Sequence, residues 1–314
     1  MRKDLQYLKA VNVSDIVEIR EVGLRDGLQL IKTQLTTQQK LQWVKKQVKA
    51  GFTEIEVTSF VPPKLLPQFS DANEMVISSN KIQNLKATAL VLNLKGANRA
   101  IAAGTEKITF VISASEEHNQ SNVRCSIAES LSMFKEVIKL CNISGRKIEV
   151  AGAIATSFGC SMQGSVAEIQ VLRLASNMAE GGAYEINLAD TVGYANPSQV
   201  KSLFSKLRNS IGTIPMAAHF HDTRAMGLAN VVSALEADVR KFDATLAGLG
   251  GCPFAPGASG NIATEDCVYL LENMGFNTGI NIQELIVLRN HLSSILPNET
   301  LEGKLSVALP AINF

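Results

Sequence analysis

Eight times along this chain, an apolar or β-branched run of strand length gives way to a segment of helical period. No other feature narrows the possible folds as much. Parallel strands need a long crossover to return to the same edge, and a helix packed on the sheet is the crossover that works. The runs fall at residues 16–23, 53–59, 86–92, 107–113, 147–156, 184–190, 216–221 and 241–248. Helical segments are predicted from near Thr36, from 71 to 80, 95 to 103, 126 to 142, 166 to 180, 197 to 210 and 225 to 237, and from about Thr264 to Met274. Their punctuation agrees: Gly51, Gly104 and Gly181-Gly182 follow helix ends, and Pro197 stands in a first turn. The first helix carries Leu41, Val44 and Val48 on one stripe. Eight such units is the count that closes an α/β, (β/α)8 TIM barrel. One more amphipathic segment, 282–296, follows as a short C-terminal helical extension over the barrel's outside or part of its mouth. The expected division is a barrel domain at 1–279 and an extension at 280–314.

A chain of 314 residues suits one such barrel. Its net charge of +1 argues against a broad nucleic-acid or membrane-binding surface. The five cysteines show no CxxC spacing, so neither a disulfide framework nor a structural zinc site is expected. No apolar segment follows Met1 and no run is long enough to span a bilayer, so the expected setting is the cytoplasm.

In barrels of this kind chemistry sits at the C-terminal ends of the strands, and the reactive residue types fall there. His219 and His221 are two of only four histidines and stand one residue apart at the end of the seventh run. On a strand, i and i+2 share a face, so both imidazoles converge. They read either as half of a metal site or as a hydrogen-bonded pair. Asp26, after the first strand, is either a carboxylate ligand or a turn cap. With a neutral amide such as Asn261 the set would hold two nitrogens and two oxygens, which suits Mg²⁺ or Mn²⁺ and still admits zinc. Arg25 is a candidate stabiliser of an enolate or oxyanion, or else a mouth salt bridge to Glu56 or Glu21. Glu56, in an apolar strand, needs a partner and is either Arg25's support or a proton carrier. Asp190-Thr191 ends the sixth run. The glycine- and proline-rich loop 248–261 carries Cys252, read as an acid/base thiol on a flap or as a passive passenger. Cys160 is a weaker second thiol. Cys125, Cys141, Cys267, His118 and His291 read as ordinary residues.

Four stretches together resemble the 3-hydroxy-3-methylglutaryl-CoA lyase family of metal-dependent TIM-barrel lyases and Claisen-condensing enzymes. They are Glu21-Val22-Gly23-Leu24-Arg25-Asp26-Gly27-Leu28-Gln29, Glu56-Val57-Thr58-Ser59-Phe60-Val61, His219-Phe220-His221-Asp222-Thr223, and the loop from Gly248 to Asn261 with Ala263-Thr264-Glu265-Asp266 after it. The loop is what selects the lyase branch. The resemblance implies metal ligands Asp26, His219, His221 and Asn261, with Mg²⁺ or Mn²⁺. It implies catalytic roles for Arg25, Asp26, Glu56 and Cys252, an acyl-CoA substrate, and a homodimer. The implied reaction is cleavage of 3-hydroxy-3-methylglutaryl-CoA to acetyl-CoA and acetoacetate.

Three departures stand out: Leu30-Ile31 replaces an expected Asn-Glu pair, Phe220 a small residue, and Arg224-Ala225-Met226 a Tyr-Gly-Gln. They are expected at the mouth, where they would bear on substrate choice. A related 3-hydroxy-3-methyl-acyl-CoA, such as citramalyl-CoA or a branched hydroxyglutaryl-CoA, is therefore an alternative substrate. An acetyl-CoA-dependent condensing synthase is another reading, against which only about 35 residues follow the barrel. A binding barrel without turnover is a third.

Overall fold

A computed structural model of the chain describes residues 15–252 and 255–308, and of 251, 252 and 255–259 the backbone alone. Strands β1 (Glu18–Glu21), β2 (Glu54–Ser59), β3 (Lys86–Val91), β4 (Lys107–Ser113), β5 (Glu149–Ala155), β6 (Glu185–Asp190), β7 (Met216–Phe220) and β8 (Lys241–Ala244) form one closed barrel in sequence order. Every pair is parallel, and β8 closes on β1 with Ala244 opposite Glu21. Helices α1 (Thr37–Ala50), α2 (Ala72–Ser79), α3 (Leu94–Ala103), α4 (Glu116–Val123), α5 (Ile127–Ile143), α6 (Glu168–Glu180), α7 (Pro197–Ile211), α8 (Gly227–Glu236) and α9 (Thr264–Asn273) follow their strands. The expected (β/α)8 barrel is the observed one.

Local chemistry starts and stops these helices. Thr36 and Ser126 make capping boxes with Gln39 and Glu129, and Gly51 and Gly104 end α1 and α3 in the left-handed conformation. The buried face of α1 is Trp43, Val44, Gln47 and Ala50, rotated from the expected stripe, and Leu41 and Val48 are half-buried at its edge.

Three elements differ from expectation. The first strand stops at Glu21 because the next residues make a wide helical turn, Gly23–Gly27, in which the amides of Arg25, Asp26 and Gly27 all point at the Val22 carbonyl. The eighth strand stops at Ala244 rather than 248, since Leu246–Gly248 is a 3₁₀ turn with Ala247 at φ 59°. Helix α4 lies between the fourth strand and the 126–142 helix, where no element is predicted, because its sequence, EEHNQSNV, has no apolar stripe to announce it. Beyond β8 the chain adds an antiparallel hairpin, β9 (Gly251–Cys252) and β10 (Ala255–Ser259).

Alternation sends the strands' apolar side chains outward to the helices, where Ile19, Ile55, Phe110, Ile154, Leu188 and Phe220 are buried. Each such burial contributes roughly 1.5–3 kcal/mol. The interior floor is ionic instead of aliphatic. Arg20 grips Glu185 at 2.8 Å and Glu54 at 3.2 Å, and Lys107 reaches the same two carboxylates at 2.8 and 2.9 Å. Lys241 adds a 3.0 Å pair to Glu54. Removing one member of such a buried pair costs about 3–5 kcal/mol, because its partner is left charged and dry.

The extension, α10 (Ile282–Ile295), packs outside the barrel against α1 and α9 through Ile282, Leu285, Leu288 and Leu292. The chain beyond it runs toward the strands' C-terminal ends, where Glu299 accepts from the Thr33 amide at 2.9 Å and Glu302 N donates to Ala247 O at 2.7 Å. It ends, among the described residues, in α11 (Leu305–Ala308). No helix among those residues is long and apolar enough to cross a membrane.

Candidate metal centre and active site

The turn after β1 presents Arg25 and Asp26 at the barrel's C-terminal mouth, and the end of β7, separated from β1 by β8 alone, presents His219 and His221 beside them. One ligand atom from each of Asp26, His219 and His221 lies within 4.8 Å of the others. The two Nε2 atoms face each other at 3.1 Å, and His221 Nε2 stands 3.9 Å from Asp26 Oδ2. Adjacent ligands on one ion with bonds of about 2.0–2.1 Å are separated by roughly 3 Å, so the spacing fits a single cation gripped by both imidazoles.

The loop past β8 returns to the end of β7, where Asp222 N donates to Gly260 O at 2.7 Å and Asn261 forms a bridge with His221. That places the Asn261 amide beside the triad, with Nδ2 donating to Asp26 Oδ2 at 2.6 Å. Its Oδ1 is buried without a partner among the described residues, as is His221 Nδ1. A buried carbonyl oxygen left unpaired at the edge of such a cluster is what a fourth oxygen ligand looks like before an ion arrives. Gly250 makes the approach possible. At φ 109°, a Cβ there would stand 3.1 Å from Asn261 Nδ2 and 3.1 Å from Gly27 Cα.

Burial works against charge on all these groups, and their neighbours decide the outcome. Burial pushes the Asp26 carboxyl up, but Arg25 and the two imidazoles hold it well below the usual carboxylate range. Burial lowers His219, yet Asp243 raises it on balance, through a hydrogen bond from Nδ1 to Oδ2 at 3.2 Å. His221 is pushed down to about 4 by burial and by His219. An anionic carboxylate beside a neutral imidazole is a donor set for a cation.

Arg25 donates through Nη1 to Asp26 and through Nε to Glu56. Glu56 therefore orients Arg25. The guanidinium keeps its charge because those two carboxylates outweigh burial, which would lower it. These groups open onto a cavity of about 330 Å³. Leu30, Leu65, Leu66, Leu90 and Leu92 line one wall of it, and Ala153, Ala155 and Ala189 leave room on the other.

The structure brings Arg25, Asp26, Glu56, His219, His221 and Asn261 together. Cys252 lies in the hairpin by its backbone, and its side chain is outside the described residues. Asp190 does not line the cavity. It accepts from Tyr194 N at 2.8 Å and Ala195 N at 3.1 Å, and burial raises its carboxyl to about 6. Of the departures, only Leu30 lines the cavity. Phe220 points outward onto Phe158 and Phe204, and Arg224 donates to the Val192 and Gly193 carbonyls.

Reading the sequence missed four contributors. His118, expected to be ordinary, lines the cavity with its Nδ1 2.9 Å from Ser113 Oγ. Asp243 holds His219, while Asn187 and Arg20 hold Asp243. For Arg20, Asn187 and Asp243 the one signal available was a charged or amide residue at an inward position of a strand, and for His118 on α4 there was none.

A family model described as HMGL-like matches residues 16–292. The chain is 37% identical over 302 residues to the human mitochondrial hydroxymethylglutaryl-CoA lyase, covering 94% of this chain and 92% of that one. It is 39% identical over 272 residues to hydroxymethylglutaryl-CoA lyase YngG of Bacillus subtilis, covering 86% and 90%. Among solved structures, an HMG-CoA lyase from Acinetobacter baumannii in complex with coenzyme A and 3-methylmalate superposes with a TM-score of 0.91 at 39% identity, over 97% and 98% of the two chains. The Bacillus subtilis HMG-CoA lyase gives 0.89 at 36%, over 94% and 98%. The carboxyl transferase domain of Rhizobium etli pyruvate carboxylase, at 18% identity and a TM-score of 0.70, shares the fold.

Proposed function

The chain belongs to the HMGL-like family, and from that membership we propose that it cleaves 3-hydroxy-3-methylglutaryl-CoA to acetyl-CoA and acetoacetate, with a divalent cation held by Asp26, His219, His221 and Asn261. The observation that carries this reading is the convergence of Asp26, His219 and His221 at the mouth cavity, with Arg25 bonded to Asp26. The relatives' shared activity favours this substrate over a sibling acyl-CoA, and favours cleavage over condensation. When bound, Mg²⁺ or Mn²⁺ would supply Lewis-acid polarisation of the substrate's oxygens.

The remaining chemistry falls to the chain's own groups. Asp26, kept ionised by Arg25, accepts the proton of the 3-hydroxyl, directly or through a water. As that O–H electron pair becomes the ketone's C=O bond, the C2–C3 bond breaks and its electrons move onto the thioester as an enolate. Arg25, oriented by Glu56, faces the growing negative charge, which is the kind of preorganised electrostatic help that dominates many active sites. The proton delivered to C2 completes acetyl-CoA, and Cys252 is assigned as its donor. The protein is read as a homodimer in the cytoplasm, and its described free cysteines suit a reducing compartment.

The test is turnover of 3-hydroxy-3-methylglutaryl-CoA by chelator-stripped protein before and after Mg²⁺ or Mn²⁺ is restored, with products identified by mass. Acetyl-CoA and acetoacetate should form only with metal. Full activity after chelation would remove the cation. Release of CoA from acetyl-CoA and a 2-oxo acid, with no cleavage, would replace the lyase by a synthase.

A further inference from the structure

Beneath the metal ligands the barrel floor carries a chain of contacts that the reaction itself does not use. His219 Nδ1 donates to Asp243 Oδ2 at 3.2 Å, and Asn187 Nδ2 donates to the same oxygen at 2.8 Å. The other oxygen of Asp243 takes Nε and Nη2 of Arg20, both at 2.7 Å. Arg20 is itself pinned by Glu185 and Glu54, and is 1% exposed. Since a carboxylate only accepts, Asp243 dictates that His219 carries its proton on Nδ1. Nε2 is then a bare lone pair aimed at His221 and Asp26.

We propose that Arg20 is a positioning residue for the metal centre, acting through Asp243 on His219. The proposal rests on the metal reading above. Arg20 anchors Oδ1 through two donors while Asn187 anchors Oδ2, and with both oxygens held the plane of the carboxylate is fixed, which a single point charge on Oδ1 would do less well. The fixed plane sets the ring orientation and tautomer of the imidazole above it. Partners of metal-bound histidines tune metal affinity in this way. The floor's cations, Arg20, Lys107 and Lys241, balance Glu54, Glu185 and Asp243. Charge can therefore be removed in matched pairs without stranding an ion.

The experiment compares Arg20→Met/Glu54→Gln, which takes the fork from Asp243, with Lys107→Met/Glu54→Gln, which removes the same charges but leaves the fork in place. Mn²⁺ binding is read by the paramagnetic resonance of free Mn²⁺ without substrate. The Arg20 pair should bind Mn²⁺ about 10–100-fold more weakly, and the Lys107 pair within about twofold of wild type. Turnover of the Arg20 pair should recover as Mn²⁺ is raised to saturation. Equal affinity in both double variants, or equal loss in both, overturns the proposal while leaving the lyase reading standing. Wild-type protein that binds no Mn²⁺ ends both. If the Arg20 pair does not fold, Arg20→Lys decides, because it keeps the charge on the floor and loses the two donors on Asp243 Oδ1. Its Mn²⁺ affinity should fall about tenfold, and wild-type affinity in Arg20→Lys overturns the proposal.

Discussion

Asn261 Nδ2 lies 2.6 Å from Asp26 Oδ2, so the loop past β8 donates directly to a carboxylate from the turn after β1, 235 positions earlier. The contact joins the candidate ligand Asn261 to the Asp26, His219 and His221 cluster. It also makes the amide a sensitive point, because its Oδ1 is buried with no partner among the described residues.

Asn261→Ala removes the candidate fourth ligand without adding bulk. Mn²⁺ affinity should fall at least about tenfold and kcat/KM should follow it, while the thermal midpoint moves little. Titration of Mn²⁺ alongside a melting curve checks this. Unchanged affinity would strike Asn261 from the ligand set.

Arg25→Met should lower kcat by about 10²–10³-fold with a smaller change in KM, because the charge it opposes develops only in the transition state. Arg25→Lys should rescue poorly. One ammonium cannot hold Asp26 and Glu56 at once in the fork that Nη1 and Nε provide. Steady-state kinetics at saturating metal separates the two parameters.

The cavity depends on small residues on β5 and β6. Ala189→Leu adds a side chain on that wall, and displacing it from a ligand's place costs about 1–3 kcal/mol. KM for the acyl-CoA should rise by about tenfold, with Mn²⁺ affinity unchanged. Parallel loss of metal binding would place Ala189 nearer the ligands than the cavity implies.

Glu21 sits under the site, where it accepts from Thr264 Oγ1 at 2.6 Å and from the amides of Gly23 and Leu246 at 3.0 Å. Burial nevertheless raises its carboxyl to about 7. Between the unfolded value of about 4.5 and about 7, the folded state binds the extra proton, so stability falls as pH rises through that window. Glu21→Gln mimics the protonated acid and should lose this dependence. Melting curves from pH 4.5 to 7.5 should show wild type losing on the order of 3 kcal/mol relative to the variant. Parallel curves would refute the shift.

The barrel was legible because strand and helix each write a period into the sequence, and eight alternations admit few closures. His219 and His221 were legible for the same local reason, since a two-residue spacing on a strand puts two side chains on one face, and Asp26 because it follows a strand's C-terminal end. Asn261, by contrast, was one possible amide among others until the family resemblance singled it out. Helix α4 and its cavity-lining His118 left no trace, because a polar segment has no stripe to read. Nor could any spacing reveal that Arg20, Asn187 and Asp243 meet. Their strands are far apart in sequence, and only barrel closure turns them toward one axis. Local periodicity records which face a residue takes, but what shares that face depends on how distant segments pack.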